Sequence, residues 1–275
     1  MTTSLQRALT VPAIAWPTLL LAALALALWG LGLALVTTGP FGFGLAAMTL
    51  GAYLAFTPLH DATHKAVAAK HPRLNDAIGR LAVVPLFGPY LAFKFVHLEH
   101  HAHTNDPAKD PDHYSARGPK VLLPLRWMTQ DLNYYAVYLR VGRPPAEVAD
   151  VVISLTLLLG AVALLIATGH GLVALAWLVS SRLALGLLAF AFDYLPHRPH
   201  TVLQRDDRFR ATTMRLGLPW QVLLVNQSHH LVHHLTPQVP FYKYPDVWVA
   251  QEAELRARGA IVVNEVGQTT LAQGT

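Results

Sequence analysis

Four stretches of this sequence, 17–36, 41–59, 151–168 and 172–192, run for eighteen or more residues with at most one charge. A helix rises about 1.5 Å per residue, so roughly 20 apolar residues cross the hydrocarbon core of a bilayer. Lipid offers backbone N–H and C=O groups no partner, so such runs are expected to be helices. Composition agrees: 53% of residues are hydrophobic and 13% charged, a balance shifted toward membrane proteins. The expected fold is therefore an all-α integral membrane protein with four transmembrane helices in two hairpins. The first run is longer than the apolar core of a signal peptide and is followed by more spans, so it is read as a retained helix.

The turns 37–40 and 169–171 join the runs into pairs and carry neither Lys nor Arg. Of 21 Lys and Arg residues, 20 lie outside the runs, all on the opposite side from these two turns. By the positive-inside rule that basic side is the cytoplasm, which points to a cell inner membrane. The basic residues border apolar spans without forming a stripe with interleaved aromatics, so nucleic acid is not an expected partner. The exception is Arg182, within the fourth run. Charges at that depth are costly, so it is expected either to meet a buried carboxylate or backbone partner or to contact substrate. The 275 residues are expected to form one domain, with 60–150 and 193–275 on the cytoplasmic side as a helical cap.

Within that cap, 81–96 is apolar but short and interrupted by Pro85, Gly88 and Pro89, which favours a re-entrant or interfacial segment. Leu125, Met128, Leu132, Tyr135 and Leu139 recur at near-helical intervals and predict an amphipathic interfacial helix. A further helix is predicted over 246–258, and the polar end beyond Val263 is expected to be loose.

The cap holds the chemistry. Of 15 histidines, all but His71, His113 and His170 fall into four groups at the cytoplasmic ends of the spans. His60 and His64 stand at i, i+4. His97, His100 and His101 stand at i, i+3, i+4, with His103 following. His197 and His200 bracket Arg198-Pro199. His230, His233 and His234 repeat the i, i+3, i+4 spacing behind His229. On a helix each triplet turns its rings toward one side. Neutral imidazole is a common transition-metal ligand, and crowded imidazoles call for a bound ion. Both members of the first pair, both triplets and His197 make nine imidazoles, too many for one ion and suited to two. Ligand type alone leaves Zn, Cu, Fe and Ni open. Asp61, Glu99 and Asp193 are placed to offset the metal charge and orient the rings. The sequence contains no cysteine, so thiolate zinc sites and cysteine-held iron–sulfur clusters are excluded.

These residues carry a resemblance. The order His-x3-His, His-x2-His-His, His-x2-His-His around two pairs of spans resembles the membrane fatty acid desaturase and hydroxylase superfamily. The wording is most similar to the desaturase-like β-carotene hydroxylases, at His60-Asp-Ala-Thr-His64, at 96–107 with Asp110-Pro-Asp-His-Tyr114, at 192–199, and at His230-Leu-Val-His-His-Leu235 followed by 240–244. The likeness spans roughly 55–245. It implies a non-haem di-iron centre that uses O2 to cleave an unactivated C–H bond, giving the 3-hydroxylated β-ionone ring found in zeaxanthin. His60, His64, His97, His100, His101, His230, His233 and His234 would then ligate iron, with His197 the ninth. One departure stands ahead of the last triplet, where Gln-Asn-Tyr is expected and this chain has Gln227-Ser228-His229. Asn226 is the substitute for a supporting asparagine, and His103, His200 and His229 are candidates for the layer around the metal.

A substrate dissolved in the bilayer would enter sideways between spans. With no flavin motif, haem motif or cysteine, electrons are expected from a separate ferredoxin-like donor. An acyl-lipid desaturase with the same iron site is the alternative. A metal transporter would place ligands near the midplane, where these spans have no histidine, and a bis-histidine haem protein would pair single histidines across a bundle.

Overall fold

The computed structural model describes residues 3–263 and 269–270. A short helix α1 (Thr3–Leu9) leads into α2 (Trp16–Thr38) and α3 (Phe41–Thr63). The cap follows with α4 (Pro72–Ala82), α5 (Tyr90–His103), α6 (Leu123–Met128) and α7 (Gln130–Val141). Next come α8 (Pro145–Ala167) and α9 (Gly171–Leu188), and α9 runs on into a π-helical turn at Ala189–Tyr194. The last helices are α10 (Leu218–Leu223), α11 (His230–Leu235) and α12 (Tyr244–Ala257).

Four helices, α2, α3, α8 and α9 with its π turn, are long and apolar enough to cross a membrane. They contain the four apolar runs except for Thr168, which caps α8, and extend past them in places. Thus α3 continues through His60 to Thr63, and α8 begins at Pro145, whose fixed φ suits a first helical turn. Leu20, Leu24, Leu157 and Leu159 are each more than half exposed along α2 and α8, which suits lipid and not water. Between α2 and α3 the backbones approach closely at glycines. A Cβ on Gly32 would lie 2.5 Å from Met48 Cγ, and one on Gly51 would lie 2.7 Å from Trp29 N. Small residues at a helix seam allow this contact where lipid gives no hydrophobic drive.

The segment interrupted by Pro85, Gly88 and Pro89 folds as a 3-10 turn (Val84–Leu86) between α4 and α5, which meet at 97°. Such a bent pair is a broken span or a re-entrant loop, in keeping with the interrupted pattern. The interfacial helix expected near 125–139 is two helices, broken at Thr129, whose φ of −120° departs from helical geometry. The helix expected over 246–258 is α12, which starts two residues earlier.

The all-α expectation needs one correction. Strands β1 (Thr213–Arg215), β2 (Ile261–Val263) and β3 (Thr269–Thr270) form a small sheet, parallel between β1 and β2 and antiparallel between β2 and β3. Met214 and Val262 face each other in register and are buried with Leu231 and Trp248 in one apolar cluster. Strands of two or three residues are too short to show an alternating pattern in sequence. Apart from Thr269–Thr270, the end beyond Val263 lies outside the described residues.

Candidate metal centre

Three helices and one turn deliver the nine histidines to one place. The end of α3 carries His60 and His64. There the chain stops with Lys65 at φ 61° and is held by Asn75 Nδ2 and Tyr90 Oη, which both donate to the Ala62 carbonyl at 2.7 and 3.0 Å. The second half of α5 carries His97, His100 and His101, and the short α11 carries His230, His233 and His234. His197 follows the π turn, whose extra residue per turn is a frequent device at functional sites. Behind α11, Leu231 and Val232 pack on Tyr244, Val247 and Trp248, fixing its histidine face toward α5.

The rings divide into two groups. His60, His64, His97, His101 and His233 form one, and His100, His197, His230 and His234 the other, with donor atoms in each within 4.8 Å of one another. Each triplet is split. In α5 the i and i+4 rings serve the first group and the i+3 ring the second, whereas in α11 the assignment is reversed. His101 and His234 stack at 4.3 Å where the groups meet.

Nitrogen geometry distinguishes a metal site from a hydrogen-bond network. In the first group Nε2 atoms run His60–His233 at 3.0 Å, His233–His101 at 2.8 Å, His101–His97 at 3.2 Å and His97–His64 at 2.9 Å. A ring nitrogen carries either one proton or one lone pair, so each can take part in one N–H···N bond. Five nitrogens can therefore satisfy two of these four contacts. The second group poses the same problem, with His197–His230 at 2.9 Å, His230–His234 at 3.1 Å and His234–His100 at 3.4 Å. Two nitrogens bound at right angles to one ion, each about 2.1 Å from it, lie roughly 3.0 Å apart. The contacts match converging lone pairs, and the donor set fits two transition-metal ions.

The Nδ1 partners support that reading. Asp110 Oδ1 lies 2.8 Å from His100 Nδ1 and Asp112 Oδ2 lies 3.4 Å away. Gln204 Oε1 lies 3.1 Å from His234 Nδ1, while its Nε2 donates to the His101 carbonyl at 2.7 Å, fixing the amide orientation. Tyr244 Oη is 2.9 Å from His233 Nδ1. Gln227 Nε2, itself a donor, is 3.3 Å from His60 Nδ1 and steadies that ring without selecting the tautomer that leaves Nε2 free. Where Nδ1–H donates to oxygen, Nε2 keeps its lone pair for a metal. Burial, reinforced by neighbouring imidazoles, holds His64, His97, His101, His197, His230, His233 and His234 well below the usual histidine range, and hence neutral. Burial acts on His100 too, but Asp110 and Asp112 outweigh it and lift this imidazole to about 9.

The expected carboxylates are partly corrected. Glu99 pairs with His103 at 3.7 Å on the half-exposed side of α5, away from the two groups. Asp61 is buried with Oδ1 4.0 Å from His60 Nδ1, and its Oδ2 accepts from Thr18 Oγ1 at 2.9 Å and Phe241 N at 3.4 Å. It ties α2 and the 240–244 segment to the histidine end of α3. Asp193 has the Tyr134 hydroxyl as its hydrogen-bond neighbour and, among the described residues, makes no hydrogen bond to a ring of either group. Asp110 and Asp112 do the orienting, because the proline-punctuated loop folds back and Asn105 N donates to Asp110 Oδ2 at 2.7 Å. The acidic loop following the triplet was their signal in the sequence.

Asn226 adopts φ 60°, and its carbonyl accepts from His229 N at 3.0 Å; the amide that reaches a ligand is Gln227. His229 is buried against Ser228 and Asn226, and His200 sits edge-on to His113 and tilted against Tyr194 while lying nearly parallel to His197 at 6.2 Å, so neither joins a group but His200 adjoins one. Arg182 makes a forked pair with Asp131 of α7, at 2.8 and 2.7 Å, and reaches the Met128 carbonyl. The carboxylate-and-backbone alternative describes its surroundings.

A family model described as "Fatty acid desaturase" matches residues 36–263. The chain belongs to the fatty acid desaturase family. A beta-carotene ketolase of Paracoccus sp. (strain PC1) is 31% identical over 197 residues, covering 69% of this chain and 72% of that protein. A beta-carotene ketolase of Haematococcus lacustris is 28% identical over 208 residues, 69% of this chain and 56% of its own length. An sn-1 oleoyl-lipid 12-desaturase of Synechocystis sp. is 39% identical over a shorter stretch of 61 residues, 21% of this chain and 17% of its own length. With its apolar helices and clustered histidines, this family member is an integral membrane enzyme, a carotenoid-modifying or desaturase-type oxygenase. The named carotenoid relatives are ketolases, whereas the sequence motifs suggested a hydroxylase.

Proposed function

We propose that this protein is an O2-dependent di-iron oxygenase that oxidises the β-ionone ring of a bilayer-dissolved carotenoid, with a ring ketone as its end product. The observation that carries the metal reading is the pair of converging Nε2 sets, which a hydrogen-bond network cannot satisfy. His60, His64, His97, His101 and His233 would hold one iron, and His100, His197, His230 and His234 the other. When bound, the irons supply O2 activation and C–H cleavage. Electrons come from an external ferredoxin-like donor protein.

The protein's own residues bind and orient. A small cavity bordered by His60, His97, His100 and His230 shares Phe56, Phe93, Tyr134 and Asp193 with an apolar chamber lined by Leu59, Val83, Leu86 and Leu188. Phe192 stacks on Phe56 at 4.9 Å and closes the cavity on one side. A ring inserted through the chamber would meet aromatic walls on its sides and the imidazoles at its end, with bulk water kept out. Ketone as product, in place of the 3-hydroxyl first expected, is supported by the relatives' names.

The spans and cap are read as one membrane domain, with two hairpins and the site on the cytoplasmic side of a cell inner membrane, as the distribution of Lys and Arg supports. A second reading, an acyl-lipid desaturase, is favoured by the short match to the oleoyl-lipid desaturase. Expression in cells that accumulate β-carotene, with pigments and acyl chains both analysed, tests the assignment. Ring ketones are expected. A 3-hydroxylated ring would restore the hydroxylase reading, new acyl double bonds would favour the second reading, and unchanged pigments and lipids would contradict both.

A further inference from the structure

The chamber that leads to the histidine cavity has an outer neighbour. Between the α4–α5 bend and α8 lies a cleft of about 240 Å3, lined by Arg80, Val84, Tyr90, Ser154, Leu157 and Leu158. Val83 and Gly88 line both cleft and chamber, so three spaces run in series from α8 to the imidazoles. The outer end faces lipid: Leu157 is 69% exposed, and along α8 only Val151 and Leu158 are buried. At the cap end Arg80 pairs with Asp150 at 2.7 Å and clamps α4 to the start of α8. A larger groove between α3 and α9, about 950 Å3, does not join the series. It shares no lining residue with the other three spaces. Tyr53, Phe192 and Phe56, stacked at 6.1 and 4.9 Å, stand between it and the histidines.

Gly88 marks the neck of the series. It does not take the left-handed conformation, and a Cβ there would lie 3.5 Å from Val83 Cγ2 and 3.6 Å from Tyr135 Oη, both ordinary contacts. Neither backbone conformation nor close packing therefore demands glycine at this position. What a longer side chain would take is the room between Val83 and Tyr135, where cleft meets chamber.

We propose that the cleft seats the extended hydrocarbon chain of the substrate, which threads the neck at Gly88 while its ring faces the imidazoles. This rests on the carotenoid reading of the site. A polyene is apolar along its length, and its ring must reach a buried site while the rest stays beside lipid. The three spaces supply that path, with the Arg80–Asp150 pair at its cap end. Lipid is as apolar as the cleft, so the neck selects by width and packing and not by hydrophobicity. The room left at residue 88 thereby sets which chains reach the metal centre.

Cysteine labelling tests this without turnover, because the sequence has no cysteine of its own. Gly88→Cys and Thr49→Cys, the latter in the α3–α9 groove, are purified as iron-stripped full chains in detergent. Each is treated with N-ethylmaleimide with and without β-carotene, whose binding is read by its absorbance after gel filtration. Saturating pigment should slow labelling at 88 about tenfold or more and leave 49 unchanged. Ser154→Cys, in the outer cleft, repeats the test if a substitution at 88 prevents folding. Gly88→Leu should weaken β-carotene binding about tenfold or more by overfilling the neck, with iron content after growth in ample iron equal to that of the wild type. Pigment that binds without protecting either 88 or 154, or thiols at both positions that stay unlabelled without pigment, would overturn the seat alone. Protection of 49 in their place would do the same and move the chain to the other groove. A wild type that binds no β-carotene would overturn the carotenoid reading with it.

Discussion

The two histidine groups are built to different standards. The five-ring group draws on α3, α5 and α11, all regular helix or its immediate cap, and His60 and His233 are steadied through Nδ1 by Gln227 and Tyr244. The four-ring group takes His197 from the segment after a π turn, and neither His197 Nδ1 nor His230 Nδ1 has a hydrogen-bond partner among the described residues. Its firm anchors are His100, on Asp110 and Asp112, and His234, on Gln204. Each group has two rings with an Nδ1 partner, so the second differs in having one donor fewer and in taking His197 from outside regular helix, and it should bind its ion less tightly. Both groups border the histidine cavity, the first through His60 and His97 and the second through His100 and His230.

The largest expected effect separates ligand from support. His101→Ala or His233→Ala removes a donor from the five-ring group, and oxidation should fall below detection while the protein still inserts and migrates as the wild type. Substantial turnover in either variant would break the ligand assignment. Asp110→Ala should leave the five-ring group loaded and weaken metal binding at the four-ring group by about 10–100-fold, read by iron content against chelator concentration. Equal loss from both groups would show that the two are not separately supported.

A smaller effect lies in pH. Seven of the nine clustered histidines have pKa values depressed by burial, so the unfolded chain binds more protons than the folded one below about 6.5. Their neutral state costs the metal-free fold nothing above that value and increasingly destabilises it as pH falls. His100 has the opposite sign, contributing stability below about 6.5 that is lost as pH rises through about 9. The Tm of iron-stripped protein should therefore drop on acidification from pH 8 to 5; a flat or rising profile would contradict the buried, neutral state of the seven. The smallest change is expected for Tyr244→Phe, which removes one Nδ1 partner from a five-donor group and should cost less than tenfold in iron affinity.

The spans were legible because lipid enforces a crude rule, roughly twenty apolar residues, that any such run displays. The nine clustered imidazoles were legible because helical spacing puts i, i+3 and i+4 on one side. Their partition into five and four was not. His100 and His101 are adjacent in sequence yet serve different groups, a division fixed by how α5 and α11 cross and not by either segment alone. The supporting residues were hidden for a related reason. Gln204 and Gln227 lie in irregular stretches, and one glutamine in a loop looks like another until the fold sets its amide against an imidazole. Glu99 misled because neighbours in sequence can face away: it sits between ligands but points with His103 to the other side of α5. Arg182 was visible as an anomaly, whereas its partner Asp131 on a separate helix was not.

The central claim is that two separate sets of imidazoles each hold an ion. Iron content of the purified protein, measured by elemental mass spectrometry after growth with ample iron, tests it directly. The wild type should retain two iron atoms per chain. Folded protein that saturates at one iron, or binds none, would contradict the account.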